Sequence, residues 1–391
     1  MRIGILVDEI APGSAPKLLA YPIKYLKKIN IKAEALVLIN NQSTKNIKYL
    51  SEYLKNIKVR YLFENFPKIF KLINFKFPMM SFFSLHHILG YFFAYKSIRN
   101  NEFDIILAHC QYSAFSARNL KLKYNLPYIL LLWDPSTFTA TKIYKKKFSF
   151  FFPILIFLSK ILDNFSLKES QSIITSGKFH HRHLKKITNK KIYILRPGCK
   201  PSKSIKKWHE RRPIIIAWDR WDVGNNPINY LEIIKNIERK DIKLIIAGFW
   251  HPYSLKQEFI KRVKEYNLGK RIIILGPLND RDINKLCSES SLHLHLIHEA
   301  FGMQCLEAAA NGCPSMIPEG SGVCELFENK KSGIFIKKIE STAFISQINY
   351  FFNNKEYAEK MSVACWKASK KNTWENYAEN LKKIALEALK K

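Results

Sequence analysis

The sequence predicts an α/β chain built of two Rossmann-like βα domains facing across a cleft, and three observations carry that prediction. Short apolar runs recur through both halves, of the kind found in parallel strands buried on both faces, with helical segments between them. A polar, basic, aperiodic stretch at 201–213 separates a first alternation from a second. The 391 residues, 47% of them hydrophobic, suffice for two or three domains with substantial cores.

The elements follow in order. Ile3 to Val7 reads as the first strand, followed by a loop with Pro12-Gly-Ser-Ala-Pro16, a helix over Lys17 to Ile29 and a strand over Ala33 to Leu38. Phe103 to Ala108, Tyr128 to Leu132, Ser172 to Thr175 and Ile192 to Leu195 read as further strands, with a helix over Ser113 to Tyr124. In the second alternation Ile214 to Ala217, Lys243 to Ala247, Arg271 to Leu275 and Leu292 to Ile297 read as strands. Pro227 to Ile237, Asp280 to Cys287 and Met303 to Ala310 read as helices, and Cys313 to Ile317 and Gly333 to Ile336 as short strands. Helices close the chain, the last opening at Thr373. The expected organisation is an N-terminal domain over 1–200, a linker over 201–213, a C-terminal domain over 214–370, and a helix in 371–391 packing back on the N-terminal domain.

A net charge of +32 points to an anionic partner. No zinc-finger or RNP-like pattern accompanies it, so nucleic acid is not expected. The seven cysteines stand singly, which argues for reduced thiols in the cytosol and against a disulfide framework or zinc site. The first strand starts at Arg2, and no signal peptide is read before it. Phe148 to Leu162 is strongly apolar, follows Lys145-Lys-Lys147 and is shorter than a membrane span. Two readings stay open for it: a buried helix, or a segment in the membrane interface with lysines reaching anionic headgroups. Phe63 to Tyr95 favours the second, because Lys68, Lys71 and Lys76 are interleaved with Phe, Met and Ile.

The most specific run is His298-Glu-Ala-Phe-Gly-Met-Gln-Cys-Leu-Glu307, continuing into Ala308, Ala309 and Ala310 and stopped by Asn311-Gly312 and Pro314. It joins the end of a strand to the start of a helix, where open α/β sheets bind ligands. The helix start offers free N–H groups and positive dipole to an anion such as a diphosphate.

This run resembles the Glu-(seven residues)-Glu signature of the retaining nucleotide-sugar glycosyltransferases typified by glycogen and sucrose synthases and the group 1 glycosyl transferases. The resemblance implies the glycosyltransferase B fold. It implies that Glu299 holds hydroxyls of the donor sugar and Glu307 the ribose of the nucleotide. The backbone of Phe301, Gly302, Met303 and Gln304 would face the donor phosphate and sugar. In Ile214 to Pro227, Arg220 matches the family arginine that clamps the diphosphate, while Asn225 stands where the family has lysine. Gly13 matches a glycine that lets amides approach the diphosphate, although its neighbour is Ser14 rather than a second glycine. Gly320-Ser321-Gly322 resembles the loop that faces the donor sugar. His109 resembles a strand-end histidine. Trp133 replaces a histidine near the sugar, leaving Asp134 to take over polar contacts. His180-His-Arg-His183 lies in a basic segment and reads as a solvated or phosphate-facing helix start.

The resemblance therefore implies front-face transfer, with Glu299, Arg220 and His109 as the catalytic group. No metal or cofactor is expected beyond the nucleoside-diphosphate sugar itself. The expected partners are that donor, a glycan or lipid-linked acceptor, and an anionic membrane surface on the cytosolic side. Asn225 and Trp133 keep a second reading open: a sugar-nucleotide-binding protein of the same fold with impaired catalysis. A basic nucleic-acid or membrane adaptor would leave the Glu299–Glu307 run unexplained.

Overall fold

The computed structural model describes residues 1–10, 15–38, 52–63, 90–144, 149–222 and 224–390. The chain forms two compact units, Met1–Arg196 with Tyr377–Lys391, and Pro197–Asn376. Gly13, most of Phe63 to Tyr95, and Phe148 lie outside the described residues.

Unit 1 runs β1 (Arg2–Val7), α1 (Ala15–Lys28), β2 (Lys32–Val37), β3 (Val59–Tyr61), β4 (Ile105–His109), α2 (Cys110–Tyr124), β5 (Tyr128–Leu131), α3 (Ser136–Tyr144), α4 (Phe152–Lys168), β6 (Ser172–Thr175), α5 (Lys178–Leu184) and β7 (Ile192–Ile194). Its described strands are all parallel, in the order β3-β2-β1-β4-β5-β6-β7. The central strands read as continuous Ile, Leu, Val and Ala because helices cover both faces of such a sheet. Helix α2 stops at Asn125, whose left-handed φ of 53° suits a short polar side chain.

Unit 2 runs β8 (Arg212–Trp221), α6 (Ile228–Asn236), β9 (Lys243–Trp250), α7 (Tyr253–Glu265), β10 (Ile272–Leu275), α8 (Asp280–Glu289), β11 (Ser290–Leu294), α9 (Met303–Ala310), β12 (Ser315–Pro318), β13 (Ile334–Ile336), α10 (Ser341–Asn353) and α11 (Lys355–Ser369). The sheet order is β10-β9-β8-β11-β12-β13, again parallel. Each sheet steps outward from its first strand in one direction and then returns to the other side of it. The reversal falls between β1 and β4 in unit 1 and between β8 and β11 in unit 2.

Strands β8 and β9 run on past the apolar runs visible in the sequence. Asp219 and Arg220 break the hydrophobic pattern of β8, yet Trp221 beyond them is fully buried. Its ring meets Tyr230 and Trp250, and its Nε1 donates to Ala247 O at 2.8 Å.

Residues 201–213, read from the sequence as a linker, belong to unit 2. Trp208 is buried against Phe351 and Phe352 and donates from Nε1 to Ser291 O at 3.1 Å. The Arg211 guanidinium is also buried. It donates to Cys287 O and Ser290 O at the end of α8, to Asn311 O at the end of α9, and to Lys206 O. Helix C-termini carry unsatisfied carbonyls and negative dipole, so one arginine closes two of them.

Helix α12 (Trp374–Leu389) belongs to unit 1 from Tyr377 onward. It buries Tyr377, Leu381, Ala385 and Ala388. Its Glu387 pairs with Lys191 and accepts from the Tyr193 hydroxyl at 2.5 Å, next to β7. No described helix is long and apolar enough to cross a membrane.

Candidate functional site

Ligands of open α/β sheets bind beyond the carboxyl ends of the strands, where the strand order reverses. In unit 2 that is the space between the ends of β8 and β11. Residues 295–302 leave β11 there and turn into α9. Gly302 caps the helix with a left-handed φ of 94°, which releases the chain into α9 without a Cβ penalty. Phe301 and Met303 are buried and anchor the turn, while Gln304 and Glu307 are partly exposed.

The Glu299 loop is held by a second loop. Gly322 N donates to Glu299 O at 3.2 Å, Val323 N to Phe301 O at 2.6 Å, and Glu299 N to Ser321 Oγ at 3.4 Å. The approach is so close that a Cβ on Gly322 would stand 2.1 Å from Ala300 O. Gly320, exposed at φ 91°, lies next to His298. The hydroxyl of Ser321 thus supports Glu299 through its backbone, and the side chain is buried.

On the β8 side, Asp219 Oδ1 accepts from Arg220 N at 2.7 Å. Burial, then the charge of Glu299, pushes the Asp219 carboxyl up to about 8. Asp219, His295 and Glu299 bring one ligand atom each within 4.8 Å of one another, His295 Nε2 standing 3.8 Å from Glu299 Oε1. Such a set could share a proton or hold a metal ion. It is the one such triad among the described residues, and sequence reading took His295 for a strand residue and passed over Asp219. The signal available for Asp219 was a carboxylate directly before the matched Arg220.

Arg220 is half exposed, and its Nε and Nη2 donate to Asp222 Oδ2 at 3.1 and 2.9 Å. Asn225 closes the same turn: its N–H donates to Asp222 Oδ1 at 3.0 Å and its Nδ2 to Arg220 O at 2.6 Å. The uncharged amide in the lysine position is therefore built into the loop that carries Arg220.

In unit 1, His109 ends β4 beside β1, at the corresponding reversal. Its Nε2 is buried without a hydrogen-bond partner among the described residues, and burial lowers the imidazole to about 4, so the ring is neutral at pH 7. Trp133 and Asp134 follow β5. Asp134 Oδ1 stands 3.3 Å from Nε2 of the buried His180, whose ring also meets Phe138 and Phe179 edge-on. Of the helix start expected to be solvated or phosphate-facing, His180 is buried.

Residues 200–365 match the family model of the group 1 glycosyl transferases. An uncharacterised glycosyltransferase of Bacillus subtilis, YqgM, is 22% identical over 270 residues, covering 68% of this chain and 72% of its own. The O-antigen chain mannosyltransferase C of Escherichia coli is 29% identical over 127 residues, 32% of this chain and 33% of its own. Among solved structures, HepE of Anabaena in complex with UDP and glucose superposes with a TM-score of 0.73 at 15% identity, covering 98% of this chain and 99% of its own. A TarM variant of S. aureus in complex with UDP superposes at 0.74 with 12% identity, covering 98% and 99%. The fold is the glycosyltransferase B fold. The family match lies within unit 2.

Proposed function

We propose that this protein is a retaining glycosyltransferase that moves a sugar from a nucleoside-diphosphate sugar to a hydroxyl of a glycan or lipid-linked acceptor. The observation that carries this reading is the clasped Glu299 loop, which holds one carboxylate at the N-terminus of α9 and a second, Glu307, farther along that helix. On this reading the first N–H groups of α9 receive the diphosphate. Glu307 holds the ribose and Glu299 orients the sugar. The bond from the anomeric carbon to the diphosphate breaks, and the acceptor oxygen bonds to that carbon on the same face. The acceptor proton passes to the departing phosphate oxygen, so no cofactor enters the balance. Arg220 supplies the charge that stabilises the leaving group. The seven free cysteines support a place on the cytosolic side of the cell membrane.

The test is a thermal-shift screen with nucleoside-diphosphate sugars, uridine and guanosine nucleotides first, repeated with Glu307→Ala. One donor should raise the unfolding midpoint, and the variant should lose that rise; no shift with any donor sinks the reading. A second reading is favoured by Asn225, whose side chain is bound to Arg220 O and brings no charge to the phosphates. On that reading the protein binds donor without transferring it. A donor-dependent shift with neither transfer nor donor hydrolysis across acceptor panels selects it.

A further inference from the structure

Helix α4 is apolar on two opposite sides. Its inner side packs Leu155, Ser159, Leu162, Ser166 and Leu167 into unit 1. The buried Asp163 accepts from Ser136 N at 2.7 Å and from Thr137 N and Oγ1 at 3.0 and 2.8 Å, which fixes α4 to the start of α3. The outer side carries the exposed Ile154, Phe157, which is 62% exposed, and Ile161, and the turn before the helix adds Phe150, which is 85% exposed, and Phe151. Ile154, Phe157 and Ile161 recur at steps of three and four on one face of α4. Phe150 and Phe151 meet edge to face at 5.2 Å between ring centroids. A soluble monomer seldom leaves such a row of phenylalanines and isoleucines in water.

In sequence, the charges leading into and along this row are lysines. Residues 135–162 contain Lys142, Lys145, Lys146, Lys147 and Lys160 and no carboxylate at all. Lys160 is exposed on α4 itself, as is Lys168 at its end. The helix spans 17 residues and has two apolar sides but no span-length core, so it suits a position along a surface rather than across one. A second copy of the chain would set lysines against lysines, within two molecules that each carry +32.

We infer that the outer face of α4 docks into the headgroup region of an anionic bilayer, with Phe150, Ile154, Phe157 and Ile161 entering the acyl boundary. Lys160 and Lys168, exposed on the same helix, meet lipid phosphates. This names the surface that the acceptor reading above would use, and in that respect it rests on that reading. A lipid-linked acceptor is confined to the interface, and docking by unit 1 keeps the enzyme there.

The experiment is flotation of the full chain with vesicles of phosphatidylcholine alone and with roughly a third phosphatidylglycerol, without any sugar nucleotide. Wild-type protein should float with the anionic vesicles and not with the neutral ones. The double variant Phe150→Ser, Phe157→Ser should bind the anionic vesicles about tenfold more weakly or worse. Phe157→Trp should bind like wild type, and its emission should shift to the blue on binding. Equal flotation of the serine variant, or no flotation of wild type, overturns the inference. So does a concentration-dependent dimer that the serine variant abolishes, which would assign the face to a second copy. Donor-induced thermal shifts measured without vesicles report separately on the transferase reading and on the folding of each variant.

Discussion

Asp219 is the residue that most changes the chemistry suggested by the Glu299 loop. Its carboxyl is pushed up to about 8 from an ordinary value of 3.8. Between those values the folded state keeps a proton that the unfolded chain has released. Stability due to this group is therefore full below about 4 and is lost as pH rises through about 8. The unfolding midpoint of wild type should fall between pH 6 and pH 8.5 by roughly 3 °C or more beyond that of Asp219→Asn, which cannot ionise there. A parallel pH profile in the variant would show that the proton is not held at this residue. His109 works in the other direction. Its imidazole is held down at about 4, so the folded state resists a proton that the unfolded chain takes near 6.5. Its contribution is intact at neutral pH and is lost as pH falls toward 4, and His109→Gln should unfold less readily in that acid window than wild type does.

At the scale of elements, two contacts hold the candidate site in unit 2. Gly322 has no room for a Cβ, because Ala300 O would lie 2.1 Å from it. Gly322→Ala should displace the Glu299 loop and reduce donor affinity at least about tenfold, roughly 1.4 kcal/mol. Titration calorimetry against the donor found in the screen measures this; unchanged affinity would show that the loop pairing does not set the site. Arg211 serves the helices behind the same site. Arg211→Met strands buried carbonyls at the ends of α8 and α9 and should cost about 2–4 kcal/mol in denaturant unfolding. The parallel strands and α9 were legible because apolar runs and a Gly-Pro stop mark them directly. The end of β8 was not, since Asp219 and Arg220 interrupt a run whose last residue, Trp221, is buried by distant rings. The packing of the 201–213 stretch was not legible for a related reason. One tryptophan and one arginine bury themselves among polar neighbours, and nothing local announces their partners. The two carboxylates of the 299–307 run were visible in the sequence, whereas the grouping of Asp219 with His295 exists only once two strand ends meet.

At the scale of the whole molecule, the +32 charge should make any anionic association strongly salt-dependent. Raising ionic strength from about 0.1 to about 0.5 M should release most of the protein from anionic vesicles, leaving what the apolar row alone retains. Retention that ignores salt would mean the lysines take no part. The return of α12 to unit 1 also has a consequence for how the molecule is made. The chain leaves unit 1 after Arg196 and re-enters it at Tyr377, so unit 2 is, in topological terms, an insertion. On the ribosome every residue of unit 2 is synthesised before Glu387 exists to meet Lys191 and Tyr193. Domains generally fold as units during synthesis. Here the unit begun first must wait with an open flank beside β7, and the one begun second is the first to be finished.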